Sequence, residues 1–263
     1  MNVPPWLVRA AVSRRHRVPA GLTAELAAAT SMLTTRAPVT ALPRFTRVLV
    51  LAPHPDDETI GCGGTVARWA RLGADIEVVV LTDGEATMAG HRDPAATAAA
   101  RRSEVTLAAG MLGAGTVVPL GLPDGRLIRS LPTLTASLGT ALVRHQPDVV
   151  LLPWPLDGHP DHRAVTLALA AVAPRADCEL YSYEVHTPIL RPDRIFDVAS
   201  TLATKRAALD LHRTAARAFE VDATLGLTRW RSLATTAGRS AAEAFLTLAW
   251  QDLPRWARLA AQA

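Results

Sequence analysis

The sequence predicts one α/β domain built on a mostly parallel sheet with helices on both faces. Three observations carry that prediction. First, short segments such as 48–52, 76–81 and 148–152 are almost wholly apolar, as strands covered on both faces must be. Second, each is followed by a polar, glycine-containing turn and then a segment with helical periodicity, giving a βαβαβ alternation. Third, 263 residues with 49% hydrophobic content suffice for one large core, and no repeat or low-complexity linker divides them.

In chain order, residues 1–44 form an appendage of two short helices, one near Trp6–Val12 between prolines and one over Thr23–Leu33, and the domain proper spans 45–263. Val48–Ala52 is the first strand, and Gly61–Leu72 the first core helix, stopped by Gly73. Ile76–Leu81 is a strand that opens into a long polar loop from Thr82 to Pro94. Ala95–Leu112 is a helix, Val117–Leu120 a short strand, and Gly121–Gly125 a turn. Leu131–His145 is a helix, Asp148–Leu152 a strand and Arg163–Val172 the helix after it. Glu179–Val185 and Arg194–Val198 read as further strands, and Leu202–His212 and Ala241–Leu248 as helices.

Composition excludes several classes. The net charge is +4 and the pI about 9.8, but the basic residues are almost all arginine, in no block interleaved with aromatics, so nucleic-acid binding is not expected. An alanine- and arginine-rich chain also fits a GC-rich genome. No apolar stretch reaches membrane-spanning length and no signal peptide is recognisable, so a cytoplasmic location is expected. Cys62 and Cys178 are the only cysteines and make neither a disulfide framework nor a CxxC pair.

Two clusters carry chemistry. Ala52-Pro53-His54-Pro55-Asp56-Asp57-Glu58 follows the first strand, and Asp157-Gly158-His159-Pro160-Asp161-His162 follows the fourth. Either alone reads as a turn and helix cap. Both contain His-Pro-Asp, both follow apolar strands, and the topology opens both on one edge of the sheet, where such folds bind ligands. His54 and Asp57, one helical turn apart, and His162 across the sheet form a candidate ligand set for a divalent metal, with zinc or another transition metal suited to imidazole and carboxylate donors. Such an ion would acidify a water and polarise a carbonyl. Asp56, beside a ligand with no structural task, is the candidate general base. His159 is the candidate oxyanion stabiliser or general acid, with Asp161 expected to hold it cationic. Glu58 is expected to cap the helix or support a ligand, and Trp154 either to stack on substrate or to cover the sheet edge. Gly61-Cys62-Gly63-Gly64 lacks dinucleotide-binding spacing.

These two signatures resemble those of the PIG-L/LmbE-like N-acetylglucosamine deacetylases. The resemblance extends from Arg47 to Arg217 and includes Arg101 with Glu104, Leu120-Gly121-Leu122-Pro123-Asp124-Gly125, and Lys205 with His212. Pro53 directly before His54 is a small departure at a position without a ligand. The resemblance implies a Rossmann-like domain and zinc-dependent hydrolysis of an N-acyl group, usually acetyl, from an amino sugar or its conjugate. Such substrates occur in bacterial secondary metabolism and thiol biosynthesis. It gives the same roles to His54, Asp57 and His162 as ligands, Asp56 as base, and His159 with Asp161 at the oxyanion. Arg101 and Asp124 become candidates for gripping the small-molecule substrate, although Arg101 and Glu104 also suit a helical ion pair. A hydrolase of another amide or ester, or a non-catalytic sugar-binding protein, stays open on the sequence.

Overall fold

A computed structural model describes residues 39–86, 93–172, 177–215, 221–233 and 241–263. The two helices expected in the appendage lie outside the described residues. Residues 39–44 run along the domain, with Thr40 N donating to Ile195 O (2.8 Å) and Trp69 Nε1 to Pro43 O (2.9 Å).

The architecture is the predicted one: a seven-stranded, mostly parallel sheet in the order β3-β2-β1-β4-β5-β7-β6. The strands are β1 (Arg47–Ala52), β2 (Asp75–Thr82), β3 (Thr116–Leu122), β4 (Val149–Pro153), β5 (Glu179–Tyr183), β6 (Arg194–Asp197) and β7 (Ala242–Leu248). The helices are α1 (Asp57–Arg71), α2 (Pro94–Leu112), α3 (Leu131–His145), α4 (Pro160–Ala170), α5 (Leu202–Leu209), α6 (Val221–Leu233) and α7 (Leu253–Ala260). None of the described helices is long and apolar enough to cross a membrane.

The apolar run of β1 divides between two cores. Val48, Val50 and Ala52 point to a layer built with α1, α2 and α5, whereas Leu49 and Leu51 point to one built with α3, α4 and α7. Its neighbours β2 and β4 both run parallel to it, one on either side. The chain order reverses between β1 and β4, so the loops that follow these two strands face each other across the crevice of a topological switch point.

The last sheet strand is where propensity misleads. Ala242–Leu248, expected as a helix from its Ala, Glu and Leu content, is strand β7, antiparallel to both β5 and β6. Tertiary pairing overrides a weak local preference. Helices α6 and α7, on either side of that strand, have no counterpart in the sequence prediction.

The glycines after the first cluster serve packing. A Cβ at Gly61 would lie within 2.1 Å of the Tyr183 ring, and one at Gly64 2.8 Å from Val198 Cβ, so α1 can seat on the sheet only with hydrogens there. Beneath it lies a buried ion pair. Lys205, the chain's single lysine, donates to Glu243 Oε1 (2.6 Å) and to Ile60 O (2.8 Å). Glu243 also accepts from the amides of Gly64 and Thr65, each at 2.8 Å. Removing one partner strands the other's charge in the core. Lys205→Met is therefore expected to lower unfolding free energy by about 3–5 kcal/mol, read from the urea midpoint at unchanged m-value.

Candidate metal centre and active site

The two clusters meet. His54 leaves β1 two residues past Ala52, and Asp57 opens α1. Asp57 Oδ2 accepts from the His54 amide (2.8 Å), which locks the turn and aims the carboxylate inward. His162 stands in the first turn of α4, where Pro160 pre-forms the helix. The three donor atoms form a nearly equilateral triangle: His54 Nδ1 to Asp57 Oδ2 is 3.1 Å, His162 Nε2 to Asp57 Oδ2 3.2 Å, and His162 Nε2 to His54 Nδ1 3.3 Å. Donors about 2.0–2.1 Å from a tetrahedral zinc stand about 3.3 Å apart. The residues present thus fit a three-ligand ion site. The ring nitrogens that face away from this triangle lie near carboxylates, as ligand histidines require. His162 Nδ1 is 3.3 Å from Asp157 Oδ1, and His54 Nε2 is 3.1 Å from Asp124 Oδ1 and 3.4 Å from Asp161 Oδ2.

The electrostatics favour positive charge at this point. Burial opposes a charged imidazole at His54, but Asp124, Asp161 and Asp57 outweigh it and hold its pKa well above the ordinary value. Burial likewise opposes the charge on His162, yet Asp57 and Asp157 push its pKa up to about 9. Asp57 is held well below the usual carboxylate range by His162 and His54, against its burial. A cluster that draws protons this strongly is also built for a cation.

Asp56 is neither cap nor core filler. At the N-cap position of α1 its side chain makes no capping bond, and its backbone sits at φ 155°, ψ −22°, a conformation non-glycine residues rarely adopt. The residue is 7% exposed. Burial pushes its pKa up, Arg101 pulls it back, Asp57 adds to the rise, and the result is about 6. That value suits a base working near neutral pH.

Arg101 does not form the helical pair with Glu104. It reaches across from α2 and donates through Nη2 to Asp56 Oδ2 (2.9 Å) and Pro55 O (3.0 Å), and through Nη1 to Gly84 O (3.0 Å). A Cβ on Gly84 would come within 2.4 Å of this guanidinium, so the loop after β2 needs its glycine. Glu104 instead accepts from the amide and hydroxyl of Thr214, at 2.9 and 2.8 Å. With Arg101 only 4% exposed and turned inward, the expected grip on sugar hydroxyls gives way to a positioning task. Arg101→Lys, which keeps charge but not the fork, is expected to lower kcat about 10–100-fold with a smaller change in KM, checked by steady-state kinetics. Asp124 is half-buried as a residue, but its side chain is 8% exposed and both oxygens are engaged, Oδ1 toward His54 and Oδ2 accepting from the Ala86 amide (3.0 Å).

The expectation for Asp161 needs correcting. Its carboxylate does not hold His159. It accepts from the amides of Gly125 (2.7 Å) and Leu127 (3.0 Å), tying the β3–α3 turn against His54. His159 instead caps α4, its Nδ1 accepting from the Asp161 amide (3.2 Å). Burial and the neighbouring His54 and His162 lower its pKa to about 4, so it is neutral rather than cationic. With Nδ1 accepting, the neutral ring carries its proton on Nε2. His159 thus remains a hydrogen-bond donor.

Two residues without a role in the sequence reading belong here. Asp157, fully buried, accepts from the amides of His159 (2.9 Å), His186 (3.0 Å) and Thr187 (3.0 Å) besides facing His162. It lies within the second signature, and the need of a ligand histidine for a carboxylate partner is the signal that points to it. His186 comes from the segment after β5, its ring centroid 5.1 Å from that of His162 and 5.7 Å from that of His159. No sequence pattern marks it. The remaining candidates turn inward. Glu58 accepts from the Thr59 hydroxyl (2.6 Å) near His212, Cys62 is buried and unbonded to any other cysteine, and Trp154 packs its ring on Trp256.

Comparison with known proteins places both clusters within one family match. Residues 49–173, which hold both clusters, match the PIG-L family model, described as GlcNAc-PI de-N-acetylase. The chain is 28% identical over 194 residues to diacetylchitobiose deacetylase of Thermococcus kodakarensis, covering 64% of this chain and 69% of that protein. It is 32% identical over 153 residues to the 1D-myo-inositol 2-acetamido-2-deoxy-alpha-D-glucopyranoside deacetylase of Mycobacteroides abscessus, covering 48% of this chain and 55% of that one. Among solved structures, a conserved protein of Thermus thermophilus superposes with a TM-score of 0.65 at 30% identity, covering 77% of this chain and 94% of its own.

Proposed function

We propose, from the premise that this chain belongs to the PIG-L family, that it is a zinc-dependent hydrolase removing an N-acyl group from an amino sugar or a conjugate of one. The observation that carries this reading is the donor triangle of His54, Asp57 and His162 with the strained, buried Asp56 carboxylate beside it. The substrate class is supported by the relatives, whose names share an acetamido sugar.

His54, Asp57 and His162 would hold the ion; two imidazoles and one carboxylate in near-tetrahedral spacing suit zinc. A bound divalent ion supplies Lewis acidity toward the acyl carbonyl and toward water. Asp56 takes a proton from the attacking water as its oxygen bonds to the acyl carbon. His159 Nε2–H donates to the oxygen on which negative charge develops. Asp56 then returns the proton to nitrogen as the C–N bond breaks, leaving a free amine and a carboxylic acid, whose remaining proton passes to solvent or to the amine. Arg101 holds Asp56 in place. Asp157 and Asp161 keep His162 and the turn against His54 where they are. Asp124, which faces His54 Nε2, would meet a sugar hydroxyl only where substrate approaches that face.

The test is metal analysis of the purified protein together with amine release from N-acetylglucosamine, diacetylchitobiose and inositol-linked N-acetylglucosamine. Simple N-acyl amines and acyl esters serve as comparison. Amine release confined to N-acylated amino sugars is expected. Hydrolysis of esters alone, or metal-loaded protein inert on every amide, overturns the reading.

A further inference from the structure

A cavity of about 320 Å³ lies between α1, α6, the segment after β5 and the start of β7; none of the residues of the donor triangle lines it, and no step of the mechanism uses it. We propose that it receives the acyl chain of the substrate and that the enzyme therefore prefers N-acyl groups several carbons longer than acetyl; this rests on the amide-hydrolase reading above.

The position argues first. The cavity is bounded by Ile60 and Gly61 of α1, by Glu184 to His186 after β5, by Leu227 and its neighbours on α6, and by Ala242 to Ala244 at the start of β7. Strand β7 runs antiparallel to β5, with Phe245 opposite Tyr183, so its first residues stand at the carboxyl end of β5. That is the edge on which His54 and His162 sit. His186 is the residue common to both: it lines the cavity, and its ring lies 5.1 Å from that of His162. An amide has two halves. Asp124 lies on the β3 side of the donor triangle, and the cavity lies on the opposite, β5 side. A substrate whose sugar faces Asp124 directs its acyl half toward the cavity.

The lining argues second. It holds four charged side chains, but they are paired within the protein. Arg231 donates to both oxygens of Glu184 and to Ile189 O (2.7 Å), and Lys205 pairs with Glu243 (2.6 Å). The charges cancel and no charged ligand is called for. Ile60, Val185, Ala223, Leu227, Ala242 and Ala244 supply apolar surface for a chain. An acetyl methyl would leave most of the space unused, whereas each added methylene finds apolar wall and gains binding.

The experiment is amine release by the metal-loaded full chain from glucosamine carrying acetyl, butanoyl, hexanoyl or octanoyl groups. The expected result is a kcat/KM that rises at least about tenfold from acetyl to hexanoyl. Leu227→Trp, which narrows the cavity from α6, should lower the octanoyl-to-acetyl ratio of kcat/KM by about tenfold or more. Leu227→Ala should shift the optimum toward longer chains. Turnover of acetyl with a flat or falling length profile overturns the acyl pocket and leaves the hydrolase reading standing. The same holds if Leu227→Trp lowers all chain lengths equally. Failure on every chain length overturns both.

Discussion

Asp56→Asn is expected to leave the metal in place and lower kcat by about 10²–10⁴-fold, the range a positioned general base contributes. The substitution is close to isosteric. Asn differs from Asp by one atom and makes no new demand on the backbone, so the conformation at φ 155° should survive. It cannot take the proton. The direction on stability is opposite. Burial raises the pKa of Asp56 to about 6, so above that pH the folded state carries an ionised carboxylate that it disfavours relative to the unfolded chain. Removing that charge should leave the melting temperature unchanged or slightly higher, although the hydrogen bond from Arg101 weakens. The measurement is kcat alongside zinc content and a melting curve on the same preparation. Activity within tenfold of the parent at full zinc occupancy would show that another group is the base.

His54→Ala and Asp57→Ala are expected to lose the metal and activity together. Outer partners of metal ligands cost about 10–100-fold in affinity when removed, and a ligand itself costs more. The contrast with Asp157→Asn is therefore quantitative. That variant keeps all three donors of the triangle; it loses the carboxylate charge facing His162 Nδ1 and one of the two oxygens that accept the amides of His159, His186 and Thr187, so it should bind zinc about 10–100-fold more weakly and recover activity at raised zinc. The ligand variants should not recover under the same addition. Competition with a chelating indicator measures the affinities. If His54→Ala bound zinc as the parent does, the triangle would not be the site.

These expectations separate the residues that could be assigned from spacing and those that could not. His54 and Asp57 are one helical turn apart, and His162 follows a strand of the same parallel set. Local geometry and the switch-point rule suffice to bring their donor atoms together. The tasks of Arg101 and Asp161 depend on contacts across 45 and 34–36 residues of chain, which no spacing encodes. Arg101 is drawn from a local helical partner to a buried carboxylate, where a charge-assisted bond is worth more than on the surface. Asp161 faces two backbone amides, which use its oxygens before His159 can.

The sequence by itself determined the layering and the chemistry. Short apolar runs bounded by turns fit strands covered on both faces, and two His/Asp clusters at the ends of such strands open on one edge of the sheet as a candidate site for a cation and proton transfer. Tertiary structure alone decided the details that need distant segments. Pairing between β5 and β6 turned a helix-prone segment into strand β7. Burial made His159 neutral and brought Asp56 toward neutrality. The packing of α6 against β7 left a cavity that reaches His186. Each follows from desolvation and close packing, which depend on what the fold brings near and not on the order of residues along the chain.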